Sequence, residues 1–377
     1  MDLDFTETQD ILKNTAREFM TRYYPKSLVR ELEEDATGFR EDIWKEAANL
    51  GWLGWIIPEE YGGVGGDFMD TIVLFEEMGR ACFMLPFFST VICTLPILNG
   101  GSEEQKREFL PKIAQGDLIF SLALTEPSAT YEASGINVRA AADSNGYVLN
   151  GTKLFIHDAQ VAHYFLCVTR TETDETKPEN GVTLFIVDAK SPGIIISPLD
   201  TIADDKQNEV IFKDVRVPGE CILGQLNQGF PLVKRLLDQA AIAKCAEMMG
   251  GADWVVENCL SYAVERVQYG KPIGSYGIIQ SHLTEMWAET NIAKRFTYYA
   301  AWLVDQGLPC CKEVSMAKAW ASDVYRRCTR MGVQIFGAIG TTREHDVGLY
   351  YRRARQAGLL FGDPDYHRER VAREMGL

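Results

Sequence analysis

Gly146-Tyr147-Val148-Leu149-Asn150-Gly151-Thr152-Lys153-Leu154-Phe155-Ile156 places β-branched and aromatic residues on both sides of an Asn-Gly pair, which predicts two strand segments about a tight turn. Further β-rich runs follow at 164–169, 182–187, 194–196 and 209–217, and the polar stretch 171–180 reads as a solvated loop between them. Outside this region the period changes. Before about residue 118 the pattern is helical: Thr6 with Gln9 fits a capping box, and Ile11, Thr15 and Phe19 continue at spacings of four. Breakers at Pro25, 58–63 and 99–101 divide these helices. After Gly229 the helical period returns, with Val233, Leu236, Leu237, Ala240 and Ala241 on one apolar face. Helices, then strands, then helices predict an α+β chain with segregated domains. The expected divisions are an all-α domain at 1–118, a β-barrel-like domain at 119–228 and a four-helix-bundle-like domain at 229–377.

Composition sets limits on the partners. With 377 residues, 46% of them hydrophobic and 24% charged, the chain can bury large cores in two or three domains. A net charge of −15 argues against nucleic acid or anionic membranes as partners, so an anionic ligand would need local Arg, Lys or backbone N–H donors. The start Met1-Asp2-Leu3-Asp4 is acidic and lacks a leader pattern, and no long uncharged apolar run suggests a membrane span. Nine scattered Cys residues without C-x-x-C spacing, including the adjacent Cys310-Cys311, read as reduced thiols of a cytoplasmic protein. The five His residues share no ligand spacing with them, so no metal site is expected.

Seven segments, in order along nearly the whole chain, resemble the acyl-CoA dehydrogenase family. They are Pro58-Glu59-Glu60-Tyr61-Gly62-Gly63; Gly101-Ser102-Glu103-Glu104-Gln105-Lys106 with Leu110-Pro111; Leu124-Thr125-Glu126-Pro127; Asn150-Gly151-Thr152-Lys153; Val217-Pro218 with Leu223-Gly224; Arg266-Val267-Gln268-Tyr269-Gly270-Lys271-Pro272-Ile273; and Gln334-Ile335-Phe336-Gly337. The resemblance implies FAD-dependent oxidation of an acyl-CoA thioester across Cα–Cβ, with electron-transfer flavoprotein as acceptor. It also implies tetramers in which each FAD lies across two subunits: one holds the flavin ring, and its neighbour reaches the pyrophosphate and adenosine.

The neighbour-reaching half is recognisable. Arg266 resembles the family arginine that pairs with the pyrophosphate, a task suited to a guanidinium, although a solvated helix-end charge is the other reading. Gln268 and Tyr269 fall beside that contact. Gln334 with Gly337 resembles the family's Gln-x-x-Gly segment, with Ala338 in place of a second glycine. The ring-holding half is altered. Leu124 and Thr125 keep the family pattern, but Ser128-Ala129-Thr130-Tyr131-Glu132 replaces a run carrying Gly-Ser-Asp. A glycine would allow close backbone approach where Thr130 stands. Phe155-Ile156-His157 takes the place of Trp-Ile-Ser/Thr: Phe155 retains a ring for packing, and His157 either donates to the flavin or faces solvent.

Neither family position for the catalytic base holds a proton acceptor. One branch carries it near the C-terminus, which falls on Phe361; the other carries it on the first long helix of the last domain, at Ala240. A positioned base contributes roughly 10²–10⁴-fold in rate. Asp363 is the nearest carboxylate to the first position, either a displaced base or a turn or cap residue before Pro364. Glu247 shares a face with Ala240 but lies ~10 Å further along the axis. Arg352-Arg353-Ala354-Arg355 reads as a solvated helix face or a subunit contact, and Gly62-Gly63-Val64-Gly65-Gly66 as a turn. The ending Leu-Leu-Phe-Gly-Asp…His-Arg resembles bacterial members that work as α2β2 complexes. Three readings follow: a base-lacking subunit that completes a homologous partner's FAD site, a self-sufficient homotetramer with a relocated base, or a non-oxidising acyl-CoA binder.

Overall fold

The structure is a computed structural model and describes residues 5–377; the acidic start Met1–Asp4 lies outside the described residues. Helices come first: α1 (Glu7–Tyr23), α2 (Lys26–Glu34), α3 (Glu41–Asn49), α4 (Phe68–Ala81), α5 (Phe87–Gly100) and α6 (Glu103–Ala114). Strands follow: β1 (Phe120–Ala123), β2 (Arg139–Asp143), β3 (Gly146–His157), β4 (Tyr164–Arg170), β5 (Val182–Asp188), β6 (Ile194–Leu199), β7 (Gln207–Val217) and β8 (Ile222–Leu223). The 36-residue α7 (Phe230–Glu265) opens the last region. A short hairpin, β9 (Val267–Gln268) and β10 (Lys271–Pro272), precedes α8 (Gly277–Asp305), α9 (Cys311–Phe336), α10 (Val347–Ala357) and α11 (Pro364–Glu374). The order is the α+β arrangement that the periods predicted. No described helix is long and apolar enough to cross a membrane. All nine cysteines are free thiols.

Local chemistry explains the main boundaries. Thr6 and Gln9 form the expected capping box at α1, and Ser102 with Gln105 forms a second at α6. Pro25 separates α1 from α2 because it has no N–H to continue the ladder. The Asn150-Gly151 pair corrects the sequence reading: it is no turn, since β3 runs unbroken through it. Its neighbour β7 pairs with it from Tyr147 to His157, the register shifting again between Lys153 and Ile156 after a first shift, of one extra β7 residue, between Leu149 and Gly151. The extra residue is absorbed as a bulge, where Asn150 accepts from the Asp214 N–H at 2.9 Å and Gly151 takes φ +139°. Sequence reading also missed β1 and β2, which are short and carry several alanines.

Contacts divide the chain into two compact units. One comprises Glu31–Gly66 and Met84–Leu237. Its eight-stranded sheet has the order β6-β7-β3-β2-β4-β5-β8, with β1 parallel to β4. Leu149, Phe165, Cys167, Phe185, Val210, Phe212 and Val215 fill its core. Phe109 of α6 meets Phe120 and Tyr164 edge-on, which fastens that helix to the sheet.

The other unit comprises the described residues up to Arg30, Asp67–Phe83 and Asp238–Leu377. Here α4 and α7 touch through backbone: a Cβ at Gly79 would lie 2.0 Å from the Glu247 carbonyl oxygen, and one at Gly250 would lie 1.8 Å from that of Glu76. Only glycine permits that approach. Buried Glu76 lies 2.9 Å from the Lys294 ammonium, which lies 2.5 Å from Asp253. The Arg352–Arg355 segment is not a solvated face: the three arginines are half-buried and Ala354 is buried, because α10 packs on α9.

Candidate functional site

In the β-containing unit, Lys153 anchors the segment expected to meet a flavin ring. Its fully buried ammonium donates to the Leu124 carbonyl at 3.0 Å and to Glu126 at 2.7 Å. Glu126 also accepts from the Asn137 and Val138 N–H groups at 2.8 and 3.1 Å. The Leu154 N–H donates to the Thr125 carbonyl at 2.8 Å, so β3 is tied directly to the Leu124-Thr125 segment. One residue on, Phe155 takes φ +56° and stands exposed, an unusual state for an aromatic residue within a strand.

His157 does not simply face solvent. Its Nε2 lies 3.3 Å from Asp205, which also accepts from Thr201 Oγ1 at 2.7 Å and from the Gln207 amide at 3.0 Å. Burial pushes the Asp205 carboxyl up, but hydrogen bonds and the imidazole outweigh it and hold the carboxyl well below the usual range. Sequence reading missed Asp205 and Gln207, because 50 residues separate Gln207 from the ring it approaches and no local motif marks them.

The loop that replaces the family's Gly-Ser-Asp run is closed on itself. Ser128 donates its hydroxyl to the Gly135 carbonyl at 3.1 Å, and Thr130 Oγ1 accepts from the Glu132 N–H at 3.2 Å. The Thr130 methyl occupies the space a Cβ on Gly135 would need, 2.1 Å away. Arg170 clamps the far side, donating to the carbonyls of Ile136 at 3.2 Å and Pro178 at 2.7 Å and to that of Ala133. The Ser128 hydroxyl proton is therefore spent internally, the Thr130 oxygen accepts within the loop, and Glu132 brings negative charge. With the charge of Glu132 and no glycine at Thr130, the loop is poorly suited to the phosphate of a flavin nucleotide.

In the other unit, Ala240 is fully buried on α7. One turn on, Lys244 is buried and ion-paired with Glu247, so that carboxylate already has a cation. Phe361 sits at φ +58° and Gly362 at φ +100°, the second a conformation that excludes side chains. Beneath them the fully buried Lys318 donates to the carbonyls of Gly362 at 2.9 Å and Gly358 at 3.2 Å. Burial draws the Lys318 ammonium down to about 8. His367, held neutral by burial and pulled down to about 3, donates to the Phe361 carbonyl at 2.9 Å. The loop is thus pinned from below by Lys318, which sequence reading did not single out, and by His367, which it met only as part of the ending motif. Asp363 caps α11, accepting from the Tyr366 N–H at 2.7 Å. That is the cap role, and it engages Oδ1 of the carboxylate.

The remaining sequence candidates share this second unit. Arg266, Gln268 and Tyr269 lie exposed at the end of α7 and on the hairpin, and Gln334, Gly337 and Ala338 lie exposed at the end of α9. Tyr262 and Phe336, with ring centroids 4.9 Å apart, hold these two helix ends side by side. The result is a patch with one guanidinium, two side-chain amides and open backbone at Gly270 and Gly337, where a Cβ would meet nothing within 4 Å. An exposed guanidinium beside uncrowded backbone fits a pyrophosphate.

Three family models match in chain order: "Acyl-CoA dehydrogenase, N-terminal domain" over residues 6–117, "middle domain" over 121–215 and "C-terminal domain" over 227–376. The chain is 32% identical to "Acryloyl-CoA reductase (NADH)" of Anaerotignum propionicum, over 100% of this chain and 96% of that protein. It is likewise 32% identical to "Caffeyl-CoA reductase-Etf complex subunit CarC" of Acetobacterium woodii, over 93% of each. Among solved structures, butyryl-CoA dehydrogenase from Megasphaera elsdenii superposes with a TM-score of 0.93 at 29% identity, covering 100% of both chains.

Proposed function

Because the chain belongs to the acyl-CoA dehydrogenase family, whose members are FAD-dependent oxidoreductases, we propose that it is the base-lacking subunit of a heterotetramer, completing a homologous partner's FAD site. The carrying observation is the split between its two half-sites. Neither Ala240 nor Phe361 can accept a proton, Asp363 caps a helix, and the loop at 128–135 spends the Ser128 hydroxyl proton internally and carries Glu132 in place of a glycine-serine cradle. The patch of Arg266, Gln268, Tyr269, Gln334, Gly337 and Ala338 remains exposed. A homotetramer needs both halves in every chain; a heteromer needs each only once per pair.

In this reading Arg266 pairs with the pyrophosphate of the partner-held FAD, with Gln268 and Gln334 hydrogen-bonding beside it. The bound flavin supplies the two-electron acceptor for oxidation of the acyl-CoA. Removal of the α-proton falls to the partner subunit. Leu124, Thr125, Phe155 and His157 keep the form of a ring-side face in this chain, without the phosphate cradle that would complete it. Electron-transfer flavoprotein is the proposed acceptor, in line with the Etf complex named for the Acetobacterium relative.

The test is to express the chain alone and with a homologous subunit that carries an intact Gly-Ser-Asp run and a Glu base. Flavin bound per chain and acyl-CoA-dependent dye reduction are then measured. Stoichiometric FAD and full turnover by the lone chain would overturn the proposal in favour of a self-sufficient homotetramer. Tight CoA-ester binding without dye reduction in either preparation would favour a non-oxidising binder.

A further inference from the structure

The hairpin β9–β10 should not stand by itself. It has two residues per strand, every one of them exposed, and such a ribbon is unstable in water without support. Its two-residue loop is Tyr269-Gly270, with φ +52° and +82°. A two-residue loop with both φ positive suits Asn-Gly, and a tyrosine in the first place is strained. That tyrosine is also 96% exposed, so no packing against its ring offsets the strain.

What holds the hairpin comes from the segment that follows it. The Tyr276 hydroxyl donates to the Gln268 carbonyl at 2.9 Å. The Lys271 ammonium lies 4.3 Å from the centroid of the Tyr276 ring, a cation–π contact to the second strand. The Ile273 N–H donates to the Arg266 carbonyl at 2.8 Å and closes the base. Tyr276 therefore touches both strands, and it does so on the two residues that flank the strained loop.

We infer that Tyr276 is a positioning residue: it keeps the hairpin upright so that Arg266, Gln268 and Tyr269 are presented to the flavin nucleotide held by the partner subunit. This rests on the reading under Proposed function. Without the Tyr276 hydroxyl the strained loop relaxes, and the complex must order the hairpin each time it takes up FAD. The cost of that ordering appears in flavin affinity and not in the chemical step.

The experiment uses the assembled complex of this chain with its homologous partner, carrying Tyr276→Phe, which keeps the ring and removes the hydroxyl. The dissociation constant of FAD, followed by flavin fluorescence, is expected to rise about three- to tenfold, the effect of one hydrogen bond. Turnover per bound flavin, at saturating FAD, is expected to stay unchanged. Amide exchange at residues 267–270 in the lone chain is expected to quicken by a similar factor. Lys271→Gln, which removes the cation–π contact, should shift affinity in the same direction. Unchanged FAD affinity in Tyr276→Phe, while Arg266→Gln in the same complex weakens it, overturns the inference and leaves the proposed function standing. If Arg266→Gln also leaves affinity unchanged, the proposed function is what fails.

Discussion

Replacing Lys153 with methionine removes the cation from a pair in which the ammonium is fully buried and Glu126 is 4% exposed. Glu126 keeps two backbone donors, at 2.8 and 3.1 Å, but loses the third donor, the ammonium at 2.7 Å. The Leu124 carbonyl loses its 3.0 Å donor at the same time. An exposed ion pair would cost ~0–1 kcal/mol to break, whereas stranding one buried partner costs about 3–5 kcal/mol. The burial here selects the larger figure. In Lys153→Met combined with Glu126→Gln, no charge is stranded and the Gln oxygen can still accept from Asn137 or Val138. The double variant should therefore lose less than the sum of the singles, by on the order of 2 kcal/mol. Amide exchange at Leu124, Thr125 and Leu154 is the assay, because the Leu154 N–H bonds the Thr125 carbonyl and reports the opening of this segment. A loss below about 1 kcal/mol in Lys153→Met, or simple additivity in the double variant, would refute the reasoning.

Gly250→Ala gains about 1 kcal/mol of helix propensity but drives a methyl to 1.8 Å from the Glu76 carbonyl oxygen. The obstacle is backbone and cannot rotate away, so net destabilisation of ~2 kcal/mol or more is expected in a thermal melt. Asp305 caps α4 through the Phe68 and Met69 N–H groups, and burial raises its carboxyl to about 6. A raised carboxyl holds its proton more tightly when folded, so its contribution is complete below the unfolded value of 3.8 and is lost as pH rises through about 6. Asp305→Asn should flatten the dependence of melting temperature on pH in that window; an unchanged slope would contradict it. Arg266→Gln should lower the flavin content of the assembled complex while leaving the melting temperature of the lone chain unchanged, since Arg266 is exposed.

The fold was legible because it rests on signals local in sequence. The capping box at Thr6, the apolar face of α7 and the β-rich runs of β4 to β7 each declare themselves within a dozen residues. Asn150-Gly151 misled for the same reason. An Asn-Gly pair suits a two-residue turn, and only the partner strand β7, 60 residues on, decides that the chain continues through a bulge. The exposed Arg266 and Gln334 patches were likewise visible as motifs.

By itself the sequence determined the order of helices and strands, the absence of a carboxylate at Ala240 and Phe361, and the loss of the glycine at Thr130, because these are properties of single positions or short windows. Tertiary structure alone decided how the neighbouring groups are used. It committed Asp363 to a helix cap, tied His157 to Asp205, pinned the Phe361 loop over Lys318 and His367, and braced the Tyr269 hairpin on Tyr276. Those outcomes depend on whether a donor meets an acceptor within 3 Å or so, and apart from the Asp363 cap, the His367 contact and the Tyr276 brace they join segments that chain spacing does not bring together.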